Sequence, residues 1–290
     1  MPVISNNMHG STYVGVLGDP AKIDLYSEEF YSLLLGDNSN IIFHLIGASE
    51  SDVNHEDVNQ MYIEFQNILA KESLKPLEIL PKPKKIHNHF SSRIGLFPSQ
   101  RNQVVDGPNF IFAPYPINSK SKYLKIKSKI TISLYSKFSS HNVLPLAYSP
   151  IGGKAAERAK SYQFDQKQLI NQFKGARKNS WFEWFYLEAG SGEKKLKTST
   201  IQEILRVQHE VVNKKLTTQQ KRESSNHSRI IVPQSIYGGG IRTKNDIDEI
   251  LSINDETKYV PQCIILGNIS ETDVNKTYQL IDRVNELNHQ

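Results

Sequence analysis

Apolar positions along this chain gather into short runs, and each run stops at a cluster of turn residues. The first four are Tyr13–Leu17 before Gly18-Asp19-Pro20, Ile41–Ile46 before Gly47-Ala48-Ser49, Ile94–Phe97 before Pro98-Ser99, and Phe110–Phe112 leading to Asn118-Ser119. Leu144–Ala147 then leads to Gly152-Gly153, and Trp184–Leu187 to Glu188-Ala189-Gly190-Ser191-Gly192. Ile230–Val232 with Ile236 leads to Tyr237-Gly238-Gly239-Gly240, and Cys263–Leu266 to Gly267-Asn268. Short apolar runs bounded in this way predict strands. Helical periodicity lies between most of them. Val58, Met61, Phe65, Ile68 and Leu69 share one helix face. Thr200-x-x-Glu203 reads as a capping box opening a helix with Ile201, Ile204, Leu205, Val211 and Val212 on its stripe. Thr243-x-x-Asp246 opens the next, and the last turns Val274, Tyr278, Ile281 and Val284 inward. Strands alternating with helices predict a parallel sheet, and a count of eight favours closure into an α/β (β/α)8 TIM barrel.

Length and composition narrow this picture. A chain of 290 residues matches one barrel, so residues 1–290 are expected to form a single domain, with polar insertions near 70–92 and 193–228. With 22% charged and 38% hydrophobic residues, the composition is that of a soluble globular protein. The N-terminus has neither a basic region nor an apolar core, so no secretory signal is read there, and a cytoplasmic location is expected. A single cysteine, Cys263, excludes an internal disulfide and sits in an apolar run as a small core residue. The histidines show no zinc-ligand spacing, and His44 within the second strand reads as a core residue. A net charge of +5 is modest. Lysines cluster at Lys82–Lys85, at Lys120–Lys129, and at Lys194–Lys197 with Lys214, Lys215 and Lys221. Such runs suit nucleic acid, anionic headgroups or a phosphorylated substrate, although solvated loops and helix faces are the simpler reading of each. No nucleic-acid module with interleaved aromatics is present, so nucleic acid is not expected as a partner.

The turns after the strands carry the candidate chemistry, because in a (β/α)8 barrel they all face one site. Glycine turns after the last strands bring backbone N–H groups close to an anion. Asp19 offers hard oxygen to Mg²⁺, the usual bridge to a diphosphate. Ser49 offers a hydroxyl, and Glu188 is placed to orient or deprotonate a substrate hydroxyl. Structural readings stand beside these. Asp19-Pro20 is a common turn pair, Ser49 a plausible helix cap, Gly152-Gly153 a tight turn, and Tyr186 and Trp184 ordinary core aromatics.

Tyr186-Leu187-Glu188-Ala189-Gly190-Ser191-Gly192, Tyr237-Gly238-Gly239-Gly240-Ile241-Arg242 and Gly267-Asn268 together resemble the geranylgeranylglyceryl phosphate synthase family, which includes the bacterial heptaprenylglyceryl phosphate synthases. Leu17-Gly18-Asp19-Pro20, Gly47-Ala48-Ser49, Leu96–Ser99 with Asn102-Gln103, and Asn118-Ser119 agree with its motifs in order. The resemblance implies a barrel in which one βα unit is irregular. It also implies Mg²⁺-dependent prenyl transfer from a polyprenyl diphosphate to the hydroxyl of a phosphorylated three-carbon acceptor, sn-glycerol 1-phosphate. Asp19 and Ser49 would then hold the metal. Tyr186, Leu187, Glu188, Ala189, Gly190, Ser191, Gly192, Gly238, Gly239, Gly267 and Asn268 would hold the acceptor phosphate, with Glu188 and Tyr186 catalytic. Tyr115, Tyr123 and Tyr148 are candidates for an apolar groove.

Ala48 and Ser99 replace family glycines, and Gly18 replaces an aliphatic residue. A moenomycin-type branch that prenylates 3-phosphoglycerate resembles the pattern too. A phosphate-binding barrel isomerase or synthase is a further alternative, although no second catalytic carboxylate follows strand five. A non-catalytic phosphate-binding protein is another. The basic 193–228 segment suits a peripheral membrane contact, and a homo-oligomer is also compatible with the sequence.

Overall fold

Each strand pairs in parallel with the next along the chain, and the eighth returns to the first, so the sheet closes into a barrel. The structure, a computed structural model, describes residues 12–24, 27–35, 41–47, 53–71, 94–108, 110–138, 141–161, 168, 171–172, 182, 184–190, 193–208, 234–251 and 259–289. The strands are β1 Tyr13–Gly18, β2 Ile41–Gly47, β3 Ile94–Phe97, β4 Phe110–Pro116, β5 Asn142–Pro150, β6 Trp184–Glu188, β7 Gln234–Gly238 and β8 Cys263–Leu266. The helices are α1 Glu28–Leu35, α2 His55–Lys71, α3 Lys122–Phe138, α4 Gly153–Arg158, α5 over 198–208, α6 Lys244–Leu251, α7 Asn268–Thr272 and α8 Val274–Asn288. The expected (β/α)8 architecture is therefore the observed one.

Period two along the strands divides the core into two layers. Inward positions fill the barrel: Phe43 and Leu45, Phe110 and Phe112, Leu144 and Leu146, Trp184 and Tyr186, Ile236, Cys263 and Ile265. Phe43, Phe110, Phe112 and Trp184 meet edge to face with centroids 5.4–6.1 Å apart, the arrangement ring quadrupoles favour. Outward positions pack beneath the helices, where Ile247, Ile250, Leu280, Ile281 and Val284 are buried. Cys263 is buried in the barrel interior, where burial pushes its thiol up, as a core cysteine requires. His44 is buried on the outward layer against Phe65.

Three boundaries differ from the sequence reading. β4 extends through Pro114 to Pro116, and β5 runs from Asn142 to Pro150, beyond the apolar runs but without loss of the parallel pairing. β7 is Gln234–Gly238, so Tyr237 and Gly238 belong to the strand rather than to the turn, while Ile230–Val232 lie outside the described residues. Its polar start is accommodated by Gln262, whose Oε1 accepts from the Ser235 N–H at 2.7 Å and from the Ser235 hydroxyl. Helix α5 begins at 198, so Thr200 lies inside it, its N–H bonded to Lys197 O, and Glu203 pairs with Arg206 instead of capping. The Thr243–Asp246 box does form: Asp246 Oδ2 accepts from the Thr243 N–H at 2.8 Å, and Thr243 Oγ1 accepts from the Asp246 N–H at 3.2 Å. The segments 72–93 and 209–233, where most of the expected insertions fall, lie outside the described residues.

Candidate active site

The alternation that fills the barrel builds the site when it is continued one step past the packed layer. Leu17 is followed inward by Asp19, Tyr186 by Glu188, and Ile265 by Gly267, all at the carboxyl-terminal mouth. There Asp19, Tyr186, Glu188, Gly190, Gly239, Gly267 and Asn268 line one cavity of about 910 Å³. Leu187 and Ala189 do not line it. They occupy the outward positions of the same stretch, both are buried in the sheet–helix layer, and the Ala189 N–H is already bonded to Gly238 O at 2.9 Å. Gly238 lies behind the cavity wall, where a Cβ would come within 2.5 Å of the Tyr186 hydroxyl. Ser49, Ser191 and Gly192 lie outside the described residues.

Glu188 is held from one side. The β5–β6 register sets Tyr148 opposite Tyr186 and Pro150 opposite Glu188, which lets the Tyr148 hydroxyl donate to Glu188 Oε2. Burial pushes the Glu188 carboxyl above the usual range, and the Tyr148 hydrogen bond partly offsets this. Burial and the neighbouring Glu188 push both Tyr148 and Tyr186 well up, so these phenols remain protonated donors. Phe97, Tyr148 and Tyr186 form a ring cluster with centroids 5.6–6.1 Å apart beside the carboxylate.

The glycine turns pack on one another. At Gly239, with φ +88°, a Cβ would sit 2.9 Å from Gly190 N; at Gly240, with φ +73°, it would collide with the backbone of Lys194 and Lys195. The turns after β6 and β7 therefore approach backbone to backbone, and the Leu196 N–H donates to the Tyr237 hydroxyl oxygen at 3.0 Å, which holds the 193–197 segment over them. These glycines thus serve close packing of the two turns as well as exposure of backbone toward the cavity. Gly240→Ala combines a left-handed φ with a collision against fixed backbone, so it should lower stability by about 2–4 kcal/mol. Chemical denaturation of purified protein measures this, and an unchanged midpoint would contradict the packing.

Across the mouth, Asp19 is fully buried, and its Oδ1 accepts from the Ala21 N–H at 3.1 Å. Glu271 on α7, invisible to the sequence reading, reaches it from beyond β8, with Oε1 accepting from the Asp19 N–H at 3.0 Å. Lys22 Nζ stands between the two, 3.5 Å from Asp19 Oδ2 and 3.6 Å from Glu271 Oε2. Burial pushes Glu271 up to about 7 despite the lysine. One or two carboxylates with room for substrate oxygens is how Mg²⁺ is commonly held, so the donors here fit that ion. Among the described residues no group of three His, Cys, Asp or Glu gathers at one point.

Lys154 and Arg158 of α4, with Arg242 and Lys276, also line the cavity; Arg242 belongs to the β7 motif, but none of the four was given a role from sequence. Other motif residues turn out to be scaffolding. Asn118 is buried and donates from Nδ2 to Pro150 O at 2.8 Å, tying the end of β4 to that of β5. Gln103 accepts from Ser99 and Gln100 and donates to Val53 O at 3.1 Å. Of the aromatics proposed for the groove, Tyr148 lines the cavity, whereas Tyr115 packs on Phe182 and Tyr123 is exposed on α3.

Comparison with known proteins gives this arrangement a place. No family model matches the chain. A geranylgeranylglyceryl phosphate synthase from Metallosphaera sedula is 26% identical over 196 residues, which span 66% of this chain and 67% of the relative. The chain resembles the geranylgeranylglyceryl phosphate synthases. Its barrel is similar to that of (S)-3-O-geranylgeranylglyceryl phosphate synthase from Thermoplasma acidophilum, solved with sn-glycerol-1-phosphate, at TM-score 0.65 and 17% identity over 99% of this chain and 98% of the other. It is similar also to wild-type GGGPS from Thermoplasma volcanium, at TM-score 0.63 and 17% identity over 96% and 93%. At such identities the solved structures speak to the barrel, and the likeness to the Metallosphaera sedula enzyme agrees with the resemblance carried by the motifs of β1, β6, β7 and β8.

Proposed function

We propose that this chain is a prenyltransferase that joins a polyprenyl diphosphate to the hydroxyl of sn-glycerol 1-phosphate, forming an ether. One observation carries the reading. A carboxylate held by a tyrosine, the glycine turns of β6 to β8, and Asp19 and Lys22, backed by Glu271, all face a single cavity whose walls include Phe97, Pro114, Pro116 and Leu124. The acceptor phosphate would lie on the turns at Gly190, Gly239, Gly267 and Asn268, with the cations of Arg242 and Lys276 nearby. Ser49, Ser191 and Gly192 belong to the same proposal by motif. Glu188 then takes the proton of the acceptor hydroxyl as its oxygen bonds to the allylic C1, while the bond from C1 to the diphosphate oxygen breaks and the diphosphate departs. Lys22, Lys154 and Arg158 supply positive charge around the leaving group, and the apolar wall receives the tail. Mg²⁺, held by Asp19 and substrate oxygens, would supply further charge neutralisation to the diphosphate.

A second acceptor has a specific observation behind it. Arg158 lines the cavity, and its charge acts on the Tyr148 hydroxyl beside Glu188. A carboxylate-bearing acceptor such as 3-phosphoglycerate would find a cation there.

Calorimetry tests the acceptor site directly. One of these three-carbon phosphates should bind with Kd below about 1 mM, and Gly239→Val should abolish the signal. If neither compound bound, the proposal would be overturned. The role of Glu188 predicts a pH effect. A base must be deprotonated, so kcat/KM rises with pH through the elevated Glu188 pKa. Tyr148→Phe removes the hydrogen bond that lowers that pKa, so the acid limb should move to higher pH. An unmoved limb, or one shifted to lower pH, would count against Glu188 as the titrating base.

A further inference from the structure

Helix α3 packs its inner face under β4 and β5, burying Ile132 and Tyr135. Its outer face is apolar along the first two turns as well, which a solvated helix does not need. Tyr123 is 71% exposed, Ile126 57% and Ile130 55%. Steps of three and four residues set these three side chains on one stripe, which ends at the exposed Ser133. Exposed lysines border the stripe, with Lys122 and Lys129 on one side, Lys127 on the other and Lys137 one turn beyond Ser133. The helix carries no aspartate or glutamate. A narrow apolar stripe between rows of lysine is the pattern of a helix lying in a membrane interface. The inner face of the same helix, in its first two turns, contributes Leu124 and Ser128 to the wall of the active-site cavity.

We propose that α3 docks the protein on an anionic lipid bilayer, seating Tyr123, Ile126 and Ile130 at the acyl boundary with the lysines on headgroup phosphates. Charge selects this occupant over a second copy of the chain. Pairing α3 with itself about a two-fold axis would press the lysine rows together with no acid on the helix to answer them. The location differs from the 193–228 segment that the sequence suggested, most of which lies outside the described residues. Docking through α3 would place the helix that walls the cavity beside the bilayer, with its Leu124 face turned toward the site, which shortens the path of an apolar tail between lipid and site. That last consequence rests on the proposed reaction, whereas the docking surface does not.

The test is cosedimentation of the full chain with phosphatidylcholine vesicles, with and without phosphatidylglycerol, at low and high salt. Binding is expected on the anionic vesicles alone and should weaken as salt rises. The double variant I126E/I130E should lower the vesicle partition coefficient about tenfold or more. Ile63→Glu, at an exposed apolar position on α2, should leave it unchanged. Circular dichroism and the calorimetric acceptor titration verify that the variants are folded, and vesicle binding needs no substrate, so it can fail independently of the catalytic reading. Absence of binding to anionic vesicles overturns the proposal, as does an equal loss in Ile63→Glu. So does a concentration-dependent dimer in sedimentation velocity that I126E/I130E dissolves, because the stripe would then belong to a second copy.

Discussion

Replacing Glu188 with glutamine should lower kcat by about 10²–10⁴-fold while leaving acceptor affinity nearly unchanged. The amide keeps the size of the carboxyl, and its oxygen can still accept from the Tyr148 hydroxyl that now bonds Glu188. What it lacks is basicity, so the loss should fall on the chemical step and not on binding. Stability should move the other way. Burial raises the Glu188 pKa in the folded state above its unfolded value. The folded protein therefore gains from protonating this group, and that contribution is lost as pH rises through the folded pKa. Above it the wild type holds a charged buried carboxylate, and Glu188→Gln relieves that cost. The melting temperature of the variant should match the wild type in acid, rise above it as pH passes through the elevated folded pKa, and hold that margin at higher pH. Single-turnover rates and melting curves at several pH values measure both halves. A variant with kcat within a few-fold of wild type would remove Glu188 from catalysis.

Asp19→Ala should lower kcat/KM by about 10²–10⁴-fold and abolish the response to added Mg²⁺. The fold should survive, because the substitution leaves no buried cation without a partner: Lys22 keeps Glu271 at 3.6 Å. Loss of the carboxylate also releases the Ala21 N–H, a turn contact costing about 1 kcal/mol. Steady-state kinetics across a Mg²⁺ titration, with circular dichroism as the fold control, separate these effects. Retained turnover with an unchanged Mg²⁺ response would remove Asp19 from the metal proposal.

The barrel was legible in the sequence because most of its strands are unbroken apolar runs ending in glycine, proline or serine. It blurred where chemistry inside the sheet departs from that pattern. Gln234 and Ser235 open β7 as polar residues, with Ser235 satisfied by Gln262, and prolines near the ends of β4 and β5 cut both strands short to the eye. The site was legible as a set of turns, and its side-chain partnerships were not. Leu187 and Ala189 belonged to the motif by contiguity, yet strand alternation turns them away from the cavity. Tyr148 looked like groove lining, and its bond to Glu188 depends on the β5–β6 register. Glu271 meets Asp19 across 252 residues of chain, a contact that exists only because β8 closes on β1. A carboxylate one turn into the helix after Gly267-Asn268, and a lysine three residues after Asp19, were the available signals for that group.

Product formation tests the proposed reaction most directly. The full chain is incubated with Mg²⁺, radiolabelled sn-glycerol 1-phosphate or 3-phosphoglycerate, and a series of prenyl diphosphates, with Glu188→Gln in parallel. The expected result is an organic-extractable labelled ether from one acceptor, formed by the wild type and nearly absent in the variant. No extractable product from any acceptor and diphosphate pair would contradict the assignment of this cavity to prenyl transfer.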